Sequence, residues 1–407
     1  MADAEHVVII GAGQAGLSAA AELRKRKFDG AITLIGAEDA PPYQRPPLSK
    51  AYLAGDLPRE RLWLKADAFY DKAEIALKTG VRAEAIDRSA SAVVLEDGAR
   101  IGFDHLILAT GGRAATPPIP GAALPGVFVL RTLDDADALG AAMREAKRLA
   151  ILGAGYIGLE VAASARKRGL DVAIAEAAER PMARTASPVL SAWVGGLHRG
   201  RGVDLRVNAP VERIAGADKA EGLVLADGET LEADLVVLAT GLVPETGLAE
   251  AAGLEVDGGI IVDHHARTSD PRIYAAGDAA LTPLERYARS MRLESVQNAI
   301  DEGKAAARAI LGDETPYDPV PWFWSDQYEV KIQIAGLYEG ADATVRRGDP
   351  EEGRFALFHF RGDALIACEA VNAAPEYMAA QRLIERGAPV DRDTLRDPGV
   401  AMRDFLS

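Results

Sequence analysis

The sequence predicts an α/β protein in which one β–turn–α–β design occurs twice and a smaller antiparallel domain follows. Three observations carry this. HVVII at 6–10 runs into GAGQAG, then the Ala-rich LSAAAELRKR, then AITLIG at 31–36. The same order returns with RLAIL at 148–152, GAGYIG, LEVAASARKR and DVAIAE at 171–176. FDHLILATGG at 103–112 is echoed by ADLVVLATGL at 233–242, each an apolar strand ending in Ala-Thr-Gly. Short β-branched runs, a Gly-rich turn and then helical spacing form the βαβ pattern of a parallel sheet. The 142 residues between Gly11 and Gly153 far exceed the ~20–50 of a solenoid repeat.

Gly11, Gly13 and Gly16 form GxGxxG. The first glycine permits a tight turn, the second lets a pyrophosphate approach the backbone, and the third allows helix to pack on strand. The helix start adds free N–H groups and a positive dipole end. One such loop is a weak signal. Its recurrence at Gly153, Gly155 and Gly158, again between strand and helix, predicts two Rossmann-type dinucleotide-binding domains. An acid is expected where the second strand of each copy ends. Glu38, preceded by Ala37, is the candidate in the first copy, with a solvated turn acid as the alternative. Glu176 ends DVAIAE in the second. A carboxylate there accepts from a ribose 2′-OH and repels a 2′-phosphate, which favours NADH over NADPH. Arg180 and Arg184 follow closely and either contact adenosine phosphates or sit exposed.

Pro- and Gly-rich stretches mark boundaries: RAATPPIPGAALPG at 113–126, GLVPETG at 241–247 and DETPYDPVPW at 313–322. Beyond them VKIQIAGLY at 330–338 and RFALFHF at 354–360 alternate as antiparallel strands. The composition, 48% hydrophobic and 26% charged, is that of a globular protein. A net charge of −15 excludes a uniformly basic nucleic-acid footprint. The longest apolar runs, such as LVVLAT at 235–240, fall far short of the ~20 residues of a membrane span. The opening MADAEHVVII has no basic stretch and reads as a strand rather than a secretory leader. The single cysteine, Cys368, permits no intrachain disulfide, dithiol pair or multi-Cys metal site. It is expected to be a buried structural thiol in a reducing, cytoplasmic setting. The six histidines offer no zinc spacing; His264 and His265, if on a strand, point to opposite faces.

YQRPPLSKAYLAG at 43–55, GAGYIGLEVAA at 153–163, TSDPRIYAAGDAA at 268–280, RLESVQNAIDEGKAAA at 292–307 and PWFWSDQY at 321–328 resemble the oxygenase-coupled NADH-dependent ferredoxin reductases, the family typified by putidaredoxin reductase. The likeness covers nearly the whole chain, and RPPLSK and PWFWSDQY are more specific than the glycine loops. It implies a glutathione-reductase-like three-domain flavoprotein. An FAD-binding domain would comprise 1–112 and 245–318, an NAD-binding domain 113–244 and a C-terminal α+β domain 319–407.

The resemblance also implies residue roles. Ala15 and Gly16 would lie over the FAD pyrophosphate, with Ala109, Thr110 and Gly111 in the same site. Lys50 would stand beside the flavin, stabilising negative charge on its reduced form, with Arg45 assisting. Ala83 would contact adenine through its backbone, Arg131 would contact FAD, and Val296 would meet the flavin ring through its backbone. Asp278 would hold the ribityl or phosphate region, with a helix N-cap as its structural alternative. The family has aspartate where Ala37 stands, so the ribose contact would move to Glu38 or be lost. In the second site Tyr156, Ile157, Arg184 and Gly241 join the glycines and Glu176. Glu160 would face the nicotinamide carboxamide, its alternative being an ordinary early-helix acid. Trp324 would pack between flavin and surface, or with Trp322 form aromatic core.

The implied reaction is hydride transfer from NADH to FAD, then single-electron transfer to a 2Fe–2S ferredoxin. That ferredoxin would supply a haem-thiolate monooxygenase or a Rieske dioxygenase. A monomer is the expected state. Docking on so acidic a chain requires a local basic patch. ERYARSMRLES at 285–295 sets Arg286, Arg289 and Arg292 at helical spacing, and Arg289 or Arg292 is expected at the docking surface. Two other readings are an NADH oxidase or peroxidase and a redox-signalling flavoprotein like apoptosis-inducing factor. The oxidases use a cysteine near the position of Gln44, and none is present.

Overall fold

The structure is a computed structural model that describes residues 5–387 and 389–406. The chain divides into two compact units. Residues 1–44, 62–113 and 243–321 form the first, and residues 45–61, 114–242 and 322–407 the second. Residues 45–61, expected within the first domain, group instead with the second unit. Ser164 Oγ donates to the Ser49 carbonyl at 2.7 Å and the Arg168 guanidinium to the Leu53 carbonyl at 2.9 Å, which ties this stretch to the helix Tyr156–Lys167 and its end.

In the first unit the strand His6–Ile10 sits mid-sheet. It pairs in parallel with Ala31–Ile35 and His105–Leu108, and Ile75–Lys78 and Ile273–Ala275 extend the two sides. A parallel sheet covered on both faces needs strands that are apolar throughout. Val7 and Ile9 accordingly enter one core with the helix Gln14–Lys25, and Val8 and Ile10 enter the opposite one. The helix Val296–Ile310 lies against Gln14–Lys25 so closely that a Cβ on Gly303 would stand 2.4 Å from the Ala15 carbonyl oxygen. His264 and His265 lie in a turn rather than on a strand, because Asp263 Oδ1 accepts the His265 N–H and its carbonyl that of Ala266.

The second unit holds another parallel sheet. Arg148–Leu152 lies between Asp171–Ala175 and Leu235–Leu238, with Val203–Arg206 and Val127–Phe128 outermost. A five-stranded antiparallel sheet follows, in the order Trp322–Gln327, Val330–Gly336, Ala364–Val371, Arg354–Arg361, Ala343–Asp349. Cys368 is fully buried in it, and burial pushes the thiol pKa well up. Arg347, 5% exposed, donates to the carbonyls of Leu395, Asp397, Pro398 and Val400 and pairs with Glu376 at 3.4 Å. No helix among the described residues is long and apolar enough to cross a membrane.

Candidate functional site

The two glycine loops share one geometry. The Gly11 N–H donates to the Ile35 carbonyl and the Gly153 N–H to the Ala175 carbonyl, each at 2.8 Å. Gly11 has φ +113° and a Cβ there would lie 2.0 Å from the Ala109 oxygen; Gly153 has φ +104° and a Cβ there would lie 2.5 Å from the Ala239 oxygen. Gly16 and Gly158 press on the carbonyls of Gly11 and Gly153 in the same way. The middle glycines differ: a Cβ on Gly13 or Gly155 would meet nothing within 4 Å. Each is a helix N-cap without a side-chain cap. The protein's own packing therefore demands the first and third glycines, while the second faces open space beside unpaired helix N–H groups. That cradle fits a pyrophosphate.

The acids are not equivalent. Strand register matches Ile35 with Ala175, so Glu176 corresponds to Gly36, and Glu38 lies two residues further on. Glu176 takes the N–H of Ala154 in its own glycine loop at 2.7 Å and that of Ala178 at 2.8 Å. Glu38 accepts the Tyr43 hydroxyl at 2.6 Å. Arg180 is turned inward: it donates to the carbonyls of Ala186 and Ala183, so neither reading of it as a phosphate contact nor as an exposed cation describes its geometry. Arg184 is exposed, its guanidinium 3.5 Å from where a Gly241 Cβ would stand. Tyr156 opens the helix with its ring 4.5 Å from that of Phe323, and burial raises its hydroxyl pKa. Ile157 beside it is exposed.

Lys50 and Glu160 meet directly. Glu160, on the helix Tyr156–Lys167, is 2% exposed, and its Oε2 lies 2.8 Å from Lys50 Nζ. Ser49 Oγ donates to the same oxygen and Ser325 Oγ to Oε1, both at 2.5 Å. A buried carboxylate is tolerated only when paired and hydrogen-bonded, and here three side chains from two segments, the adjacent Ser49 and Lys50 and the distant Ser325, meet that need. Lys50 and Glu160 also line a cavity of about 650 Å³, to which Tyr328 and Arg201 contribute. Sequence reasoning missed both serines, although Ser49 ends RPPLS just before Lys50 and Ser325 lies within PWFWSDQY.

Among the other expected residues, Arg45 donates to the Arg131 carbonyl at 2.7 Å, so these two are neighbours in the second unit. Trp322 and Trp324 lie with ring centroids 5.7 Å apart and planes tilted by 35°, and Trp322 also meets Tyr377 at 6.5 Å. In the first unit Ala83 is buried at the start of the strand Ala83–Asp87, and Thr110 Oγ1 donates to the Glu245 carbonyl at 2.7 Å. Gly111 has φ +65°. Val296 is the first residue of its helix, capped by Ser295, which leaves its N–H without an intrahelical acceptor. Asp278 caps no helix: the strand Ala280–Leu284 follows it, which overturns the N-cap alternative.

Nor do the arginines expected at a docking surface share a helix. Ala288 has φ +50° and Arg289–Met291 is a strand antiparallel to Ala280–Leu284, so the three-residue spacing has no helical meaning. Arg289 is exposed. Arg292 instead donates to the Asp278 carbonyl at 3.2 Å and pairs with Glu294 at 2.8 Å. A further buried acid, Glu302, lay outside the sequence reading. It accepts the Gly277 N–H at 2.7 Å, the Asn298 amide at 3.0 Å and the Thr282 hydroxyl. Burial pushes its pKa up to about 7, the three donors only partly opposing this.

Residues 5–303 match the pyridine nucleotide-disulphide oxidoreductase family and residues 322–406 the reductase C-terminal family. Rhodocoxin reductase of Rhodococcus erythropolis is 47% identical over 392 residues, covering 96% of this chain and 92% of that protein. The crystal structure of the ferredoxin reductase for the CYP199A2 system from Rhodopseudomonas palustris superimposes with a TM-score of 0.97 at 40% identity, covering 99% of this chain and 100% of that one. The reductase in the covalent putidaredoxin reductase–putidaredoxin complex gives 0.95 at 38% identity, covering 99% and 98%. The chain is an oxidoreductase and belongs to the ferredoxin reductases of the pyridine nucleotide-disulphide oxidoreductase family.

Proposed function

We propose that this chain is an FAD-dependent NADH:ferredoxin reductase that feeds a haem-thiolate monooxygenase or a Rieske dioxygenase through a 2Fe–2S ferredoxin. The observation that carries the reading is the Lys50–Glu160 pair at 2.8 Å, formed one turn into the helix that opens at the second glycine loop. When bound, FAD supplies the redox chemistry, taking two electrons from NADH and passing them on singly. The residues of this chain bind and orient. Gly11, Gly13 and Gly16 cradle the FAD pyrophosphate, and Gly153, Gly155 and Gly158 that of NADH. Glu176 accepts from the NADH ribose, and Glu160, held by Ser49, Ser325 and Lys50, receives the nicotinamide carboxamide. Lys50 brings a positive charge beside the flavin. No protein acid or base is required. Cys368 is the chain's single cysteine and is buried, so electrons leave without passing through a protein dithiol. That buried thiol also suits a cytoplasmic location.

Steady-state reduction of cytochrome c by NADH, with and without purified 2Fe–2S ferredoxins, tests the proposal. A large ferredoxin-dependent increase is expected. Rapid reduction of the flavin with no ferredoxin dependence would overturn the acceptor and favour the oxidase reading.

A further inference from the structure

We propose that His198 is a positioning residue for Glu160, acting through a one-way chain of donated hydrogen bonds that ends on the Glu160 carboxylate. The inference rests on the role given to Glu160 above. The chain lies wholly in the second unit. Ser325 Oγ is 2.5 Å from Glu160 Oε1, Gln327 Nε2 is 3.1 Å from Ser325 Oγ, His198 Nε2 is 2.8 Å from Gln327 Oε1, and Tyr328 Oη is 3.3 Å from His198 Nδ1. Ser325, Gln327 and His198 are each 0% exposed, so water does not stand in for any of these partners.

One premise fixes every proton. Glu160, a carboxylate paired with Lys50, only accepts, so Ser325 spends its single hydrogen on it. Ser325 must then accept from Gln327, which turns the Gln327 amide nitrogen toward the serine and its oxygen toward His198. That oxygen needs a donor, so His198 carries its proton on Nε2. The other ring nitrogen is then an acceptor, and the Tyr328 hydroxyl donates to it. Burial lowers the His198 pKa, in keeping with a neutral ring. Each donor is polarised by the one behind it, and all of them point at Glu160. The helix Pro188–Gly200 supplies His198 and the hairpin strand Trp322–Gln327 supplies Ser325 and Gln327, so the chain ties two elements to the carboxylate. Lys50 and Ser49 fill the other carboxylate oxygen. Cutting the chain at His198 leaves the Gln327 carbonyl oxygen unmet, frees the amide to turn, and loosens Ser325 on Glu160.

The test uses the holoprotein with His198→Leu, which fills the space without a donor, and His198→Gln, which restores an amide N–H near the Nε2 position. Gln327→Met cuts the same chain independently. Two readouts are taken: the limiting rate of flavin bleaching at saturating NADH, and acetylation of Lys50 by acetic anhydride, quantified by peptide mass spectrometry. His198→Leu and Gln327→Met should each slow bleaching about tenfold and raise Lys50 labelling. His198→Gln should return both toward wild type. The double variant should be no slower than the worse single one. The inference is overturned if His198→Leu matches wild type in both readouts, or if His198→Gln is as impaired as His198→Leu. Should His198→Leu not fold, an unchanged rate and labelling in Gln327→Met overturn it equally. Failure of NADH to bleach the wild-type flavin would sink the proposed function instead, while the Lys50 labelling would still judge the chain.

Discussion

Glu176 accepts the backbone N–H of Ala154 at 2.7 Å, so the acid that ends its strand also closes the glycine loop it faces. Two consequences separate in Glu176→Ala. Loss of the acceptor leaves a buried N–H unmet and should lower stability by about 1–3 kcal/mol, visible as a reduced Tm. Loss of the charge should narrow the NADH preference over NADPH by roughly tenfold in kcat/KM. An unchanged coenzyme ratio would remove Glu176 from the ribose site and leave it a loop brace alone.

The glycine loops yield a contrast between neighbours. Gly13→Ala adds a methyl that touches no protein atom within 4 Å, so the fold should lose under about 1 kcal/mol while flavin retention after gel filtration falls sharply. Gly16→Ala drives a methyl to 2.0 Å from the Gly11 carbonyl oxygen and should abolish soluble expression. Full flavin content in purified Gly13→Ala would show that the open space is not where the pyrophosphate lies.

Glu302 predicts a pH dependence of stability. Its carboxyl titrates at about 7 when folded against an ordinary 4.5. Between those values the unfolded chain has released the proton and the folded one has not, so this group's contribution to stability falls as pH rises and levels off above about 7. Glu302→Gln keeps an acceptor for Gly277 and Asn298 without the charge. Its stability relative to wild type should therefore improve from about pH 5 to about pH 8, measured by urea denaturation. A constant difference would mean that the carboxyl does not titrate in that window.

Charge reversal should separate Arg289 from Arg292. Arg289→Glu, on an exposed strand, should raise the KM for ferredoxin several-fold at low salt and leave ferricyanide reduction unchanged. Arg292→Glu removes the donor to the Asp278 carbonyl and should impair both assays. Equal loss in both assays for Arg289→Glu would take that residue out of the docking surface.

Much of this architecture was legible because its signals are local. HVVII and RLAIL are strands on β-branching and length, and each glycine loop follows its strand directly. The strings around Lys50 and Ser325 hold segments that meet at Glu160. What escaped was whatever depends on distant pairing. Glu38 and Glu176 look alike after their strands, yet only the equivalent registers Ile10–Ile35 and Leu152–Ala175 reveal that Gly36, not Glu38, holds the position corresponding to Glu176. Arg289 and Arg292 carry helical spacing, but Ala288 in the left-handed region and the partner strand Ala280–Leu284 impose a strand instead. Glu302 reads as an exposed helix acid until Gly277 and Thr282, some twenty residues earlier, are brought to it. His198 meets Gln327 across 129 positions, a separation no motif records.

The environment of Arg347 has a practical corollary. Four carbonyls between Leu395 and Val400 serve as the acceptor shell of one interior guanidinium. Trimming those residues to tidy an expression clone would thus not shorten a loose tail. It would take four acceptors from a buried permanent cation and leave its charge to Glu376, with damage expected far from the cut.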